Sequence, residues 1–108
     1  GTYEFTPQWT IAYADSLRGM QFRAEKKWQE SIDHFEKSIR ESEHLRRWDP
    51  YGFADLLVEY ARVYLDRDQE GDREKAHKLL DEALEIFQKM GAKGDVEKII
   101  AKKKLLTA

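Results

Sequence analysis

Between Gly71 and Gly94 the chain reads GDREKAHKLLDEALEIFQKMGAKG, with apolar residues recurring at spacings of three and four. Ala76, Leu79, Leu80, Ala83, Leu84, Phe87 and Met90 therefore share one side of a helix. Asp72 stands where a carboxylate caps the unpaired amides of a first turn. Lys89 lies near the C-terminal carbonyls, and Gly91 supplies a left-handed residue to close the helix. Small Ala76 and Ala83, with bulky Leu80 between them, let a second helix approach closely. The stretch predicts helix-on-helix packing.

The same reasoning organises the rest of the chain. Residues 1–6 form an arm. Thr6-Pro7 is a capped, proline-led start for a first helix over 7–24, whose apolar positions include Trp9, Ala12, Tyr13, Leu17 and Met20. Gly19 inside it costs ~1 kcal/mol relative to alanine, and close packing against another helix is the reason to keep it. A tight turn is expected at 25–27. No Gly or Pro lies between 20 and 49, so one continuous helix is the alternative, but a ~40-residue helix is rare in a small domain.

A second helix over 27–44 carries Trp28, Ile32, Phe35 and Ile39 on one face, with small Ser31 and Ser38. Asp49-Pro50 opens a third, to 66, bearing Phe53, Leu57, Tyr60, Ala61 and Tyr64. The fourth is the stretch already described. Lys93-Gly94 then breaks the chain, and Asp95 caps a fifth helix, to 107, with Val96, Ile99, Ile100 and Leu106. No strand pattern is present. The expected fold is all-α, a single domain over 1–108, with a first helix pair at 7–46, a second at 49–91 and a last helix at 94–107.

Composition narrows the function. A net charge of −2 over 108 residues does not imply a nucleic acid or an acidic membrane surface as partner. With no cysteine there are no disulfides and no thiolate chemistry, and the expected location is cytoplasmic. No apolar run approaches the ~20 residues that span a bilayer. The chain opens on Gly rather than Met, and reads as a fragment of a larger regulatory or scaffold protein.

Superimposing the two helix pairs reveals a repeat. Gly19, Phe22, Trp28, Ser31, Phe35 and Ser38 in the first correspond to Ala61, Tyr64, Gly71-Asp72, Ala76, Leu80 and Ala83 in the second. This resembles the tetratricopeptide (TPR) repeat, whose second helix runs small, large, small at spacings of four and three. The repeat is longer than the usual ~34 residues of that family and is similar to the repeats of about 40 in bacterial and archaeal regulatory proteins. The proline that normally ends each repeat is missing, and the first pair lacks the turn glycine. The resemblance implies antiparallel helix pairs in a right-handed superhelical stack, with the fifth helix as a cap. Two repeats fall below the ~3 usually needed for stability, and self-association is one way to supply the missing surface.

Candidate chemistry is thin. Glu41/His44 and Glu74/His77 have the Glu-x-x-His spacing of di-iron helical bundles, which makes a metal-binding bundle a minor alternative. His44 lies half a helical turn from core Phe35 and is expected to face solvent, and short connections put the two motifs at opposite helix ends. His34 is expected at the surface. Asp81-Glu82 sits among lysines and reads as a solvated face. No nucleophile elbow, phosphate loop or metalloprotease motif is present, so neither an enzyme nor a cofactor is expected. Arg46-Arg47 beside Trp48, and Lys102 to Lys104, are basic clusters of a size common on ordinary surfaces.

By the TPR resemblance, the concave groove is lined by exposed positions on the first helix of each pair: Tyr13, Ser16, Met20 and Arg23, then Val58, Arg62 and Leu65. This mixture of aromatic, apolar and arginine side chains suits a peptide or a partner helix. Tyr13 and Met20 have a simpler reading, as packing against the neighbouring helix. The expected function is a non-catalytic protein-interaction module, with homodimerisation as the alternative.

Overall fold

The computed structural model describes residues 8–107, with side chains over 14–106 except at position 45. Five α-helices follow in order: α1 (Gln8–Ala24), α2 (Trp28–Ser42), α3 (Pro50–Arg67), α4 (Asp72–Met90) and α5 (Lys93–Thr107). A 3-10 turn over Glu43–Arg46 tightens the chain after α2, so that helix ends two residues before the expected 44. Among the described residues there is no strand, and no helix is long and apolar enough to cross a membrane. The arm at 1–6, the Thr6-Pro7 start and the side chains of Trp9, Ala12 and Tyr13 lie outside the described residues.

The turn between α1 and α2 falls at 25–27 without a glycine. Lys26 takes the left-handed conformation, with φ of 59°, while the Lys26 and Lys27 amides donate back to the Arg23 and Phe22 carbonyls. Two helices joined by so short a turn and packed along each other must run in opposite directions. α3 and α4 form the second such hairpin. The described chain measures 59 × 34 × 17 Å, so its thinnest dimension is two helices.

The alternation of small and large residues is what brings each pair together. Ser31, Phe35 and Ser38 on α2 are fully buried, as are Ala76, Leu80 and Ala83 on α4. A Cβ at Gly19 would come within 2.7 Å of the Phe35 ring, so only glycine allows α1 to lie this close to α2. The Ser31 hydroxyl donates to the Gly19 carbonyl at 2.6 Å across the same contact. Burial of each large side chain contributes roughly 1.5–3 kcal/mol.

Tyr60 ties the hairpins together. Its ring stacks on Phe35 at 5.7 Å between centroids, and its hydroxyl donates to Glu36 at 3.1 Å and bonds the Tyr64 hydroxyl at 2.8 Å. Burial, then the bond to Tyr64, raise its pKa far above the ordinary tyrosine value.

Helix ends agree with the sequence in some places and depart from it in others. Asp49 caps α3, its carboxylate accepting from the Gly52 amide at 3.0 Å. Gly91 closes α4 with φ of 72°, as its position predicts. Asp72 does not cap α4. Gly71, at φ of 83°, is the capping residue, and Asp72 turns inward to full burial. At α5 the helix starts at Lys93, so Gly94 lies within it and Asp95 sits in the first turn, accepting from the Tyr51 hydroxyl at 3.2 Å.

Candidate binding groove

A cleft of about 430 Å³ opens where α1, α3 and α5 converge. Three of the seven residues expected to line a groove meet there: Arg23 from the last turn of α1, and Arg62 and Leu65 from α3. The other four do not join them. Ser16 and Val58 are buried, at 6% and 8% exposure, Val58 as a member of the hydrophobic core. Met20 is half-buried against the core, and the Tyr13 side chain lies outside the described residues.

The remaining walls are α5 and, through Arg73, the first turn of α4. Lys102, Leu105 and Leu106 line the cleft, with Leu106 packed on the core and Leu105 76% exposed. The repeat pattern makes α5 only a cap, and in the sequence Lys102 to Lys104 is a basic cluster of a size common on ordinary surfaces. The available signal was the spacing from Lys102 to Leu105 and Leu106, which puts one cation and two leucines on one side of a helix. Ile99 anchors α5 in the core, and an ion pair between Lys103 and Asp81 fastens it to α4.

Charge in the cleft is uneven. Arg23 faces Asp66 at 3.7 Å, Arg62 faces Glu59 at 3.6 Å, and the Nε of Arg73 donates to Asp68 at 3.2 Å. Lys102 makes no ion pair among the described residues. Its ammonium is held below the usual lysine value, first by burial and then by the Arg62 charge, with Arg23 adding to the effect and Glu59 and Asp55 opposing it.

Other polar residues are engaged within the fold. His34 is not an ordinary surface residue: its ring stacks on Phe22 at 5.3 Å and its Nδ1 lies 3.3 Å from Asp15. Arg46 pairs with Glu82 at 2.8 Å and with Glu43 at 3.4 Å, and lies over the Phe53 ring. Trp48 beside it is 81% exposed. His44 is exposed, and among the described residues no group of three or more His, Asp or Glu is placed to hold a metal ion.

A second cleft, of about 370 Å³, lies over Phe53, Leu57 and Tyr60 between α2, α3 and α4. Its carboxylates are already taken, Glu36 by Tyr60 and Glu43 and Glu82 by Arg46. In comparisons with protein-family models, curated proteins and solved structures, nothing matched this chain.

Proposed function

We propose that this chain is a non-catalytic protein-interaction module of TPR type, which holds a peptide or a partner helix in the cleft between α1, α3 and α5. The observation that carries this reading is the convergence of Arg23, Arg62 and Leu65 with Lys102, Leu105 and Leu106 in one open cleft. Arginine and exposed leucine recognise partners through bidentate hydrogen bonds and apolar contact, the residue chemistry of interfaces. The small-large-small packing of both hairpins, at Ser31, Phe35 and Ser38 and at Ala76, Leu80 and Ala83, supports the repeat reading. On that reading α1, α3 and α5 occupy equivalent positions in successive repeats, with α5 closing the stack.

Selection from a displayed peptide library on the immobilised chain tests the proposal. Selected sequences are expected to converge on one pattern, and the Leu105→Ser variant is expected to lose their binding. Failure to converge, on protein whose helical circular dichroism is intact, removes the reading.

Self-association is the second reading. It is favoured by the apolar surface of α5, where Ile100 and Leu105 are 39% and 76% exposed. Sedimentation equilibrium across a wide concentration range separates the two: a monomer throughout rules out the dimer, and a dimer lost on Leu105→Ser supports it.

A further inference from the structure

The cleft between α1, α3 and α5 has a charge preference, and the following step rests on its being a protein-binding groove. Four cations line it, Arg23, Arg62, Arg73 and Lys102, against two carboxylates, Asp66 and Asp68. Those two carboxylates are each held by an arginine, Asp66 by Arg23 and Asp68 by Arg73. Arg62 and Lys102 remain, Arg62 with Glu59 at 3.6 Å and Lys102 in no ion pair among the described residues but within the influence of Glu59 and Asp55.

Lys102 is the informative member. Burial first makes its ammonium form less favourable than in a free lysine, and the Arg62 and Arg23 charges that add to this are opposed by Glu59 and Asp55. An incoming carboxylate in the cleft is drawn by Lys102 and Arg62 together, where an isolated surface lysine offers one charge. Beside this cation stand Leu65, Leu105 and Leu106, and Leu105 has most of its surface open. The second cleft has the opposite balance, three carboxylates, Glu36, Glu43 and Glu82, against the one cation Arg40.

We propose that the occupant of this cleft is an acidic protein segment, with aspartate or glutamate side chains against Lys102 and Arg62 and a leucine-sized residue resting on Leu105 and Leu106. An apolar residue with acidic neighbours matches a cleft that is lined by both cations and leucines.

The test uses the full chain and three short fluorescein-labelled peptides, each with leucines flanked by glutamates, by glutamines or by lysines. Fluorescence anisotropy at low salt is expected to show the glutamate peptide binding about tenfold or more tighter than the glutamine peptide, and the lysine peptide not binding. Raising the salt should narrow the gap, because exposed charges are screened. Lys102→Glu should abolish the preference, and Leu105→Ser should weaken both peptides alike. Lys102→Gln, which should show a partial loss, serves if the charge reversal does not fold.

Equal binding of the glutamate and glutamine peptides overturns this inference and leaves the groove reading in place. No binding by either, on folded monomeric protein, overturns both. Self-association that Lys102→Glu abolishes assigns the cleft to a second copy of the chain and overturns the foreign acidic segment. Competition by a single-stranded oligonucleotide assigns the cations to phosphate, with the same consequence.

Discussion

Arg67 and Asp72 meet fork to fork: the Nε and Nη2 of the guanidinium donate to the two carboxylate oxygens at 2.8 Å each. The Gln69 amide adds a third bond to the carboxylate at 2.9 Å, so one fully buried aspartate closes the loop between α3 and α4. Arg67 also lies over the Tyr64 ring, at 5.6 Å.

This clamp makes stability depend on acid. The bond to Arg67 holds the Asp72 carboxyl below its ordinary value of 3.8, against the opposing effect of burial and with help from the Gln69 amide. The stabilisation is full above that ordinary value and is lost as pH falls below it, through the lower value of the folded protein. Asp72→Asn is expected to cost about 3–5 kcal/mol near neutral pH, because it leaves the Arg67 charge without its partner. Urea unfolding near neutral pH and again near pH 3 measures it. Equal midpoints for the two proteins at neutral pH would show that the clamp does not hold the loop.

Gly19 and Phe35 set the distance between α1 and α2. A methyl group at Gly19 would lie 2.7 Å from a ring that is itself fully buried and has no room to retreat. Gly19→Ala is expected to destabilise by roughly 1–3 kcal/mol despite the better helix propensity of alanine. In a double-mutant cycle, Phe35→Leu should recover part of the loss. Independent, additive effects would place the strain elsewhere.

Glu41 gives the opposite pH dependence. Its Oε2 is buried without a hydrogen-bond partner, while the two oxygens of nearby Asp15 are engaged by His34 and Lys37. Burial, then the neighbouring Asp15 carboxylate, raise the Glu41 carboxyl above its ordinary 4.5, against Lys37 and Arg40. The resulting destabilisation is absent below that ordinary value and grows as pH rises through the folded one. Glu41→Gln should therefore stabilise by about 1 kcal/mol at neutral pH, with the gain fading in acid. Thermal melts over a pH series would count against this account if the variant were no more stable at neutral pH.

The two glycines flanking the α4–α5 junction should respond in opposite directions. Gly91 has φ of 72°, and alanine there is expected to cost about 1 kcal/mol. Gly94 lies inside α5 with nothing within 4 Å of an added Cβ, so Gly94→Ala should stabilise by up to ~1 kcal/mol. A loss at Gly94 of the same size as at Gly91 would mean that α5 does not begin at Lys93.

The sequence by itself determined what depends on neighbours along the chain. The helical period, the Asp49 cap, the closing Gly91 and the small and large residues that meet in each hairpin are local signals, and all recur in the fold. The turn at Lys26 was legible from length alone, since no glycine marks it. Tertiary structure decided what depends on neighbours across helices. Asp72 looked like a cap because a carboxylate at a helix start usually is one, yet Arg67 reaches it first with a bidentate bond. His34 looked solvated until Phe22 and Asp15 met it from α1, and Ser16 and Val58 looked open until the core closed over them. Lys102 and Leu105 joined the cleft only through the path of α5 back toward α1 and α3. Periodicity states which face of a helix is apolar; which helix arrives at that face, and where it stops, is fixed by side-chain packing between elements distant in the chain.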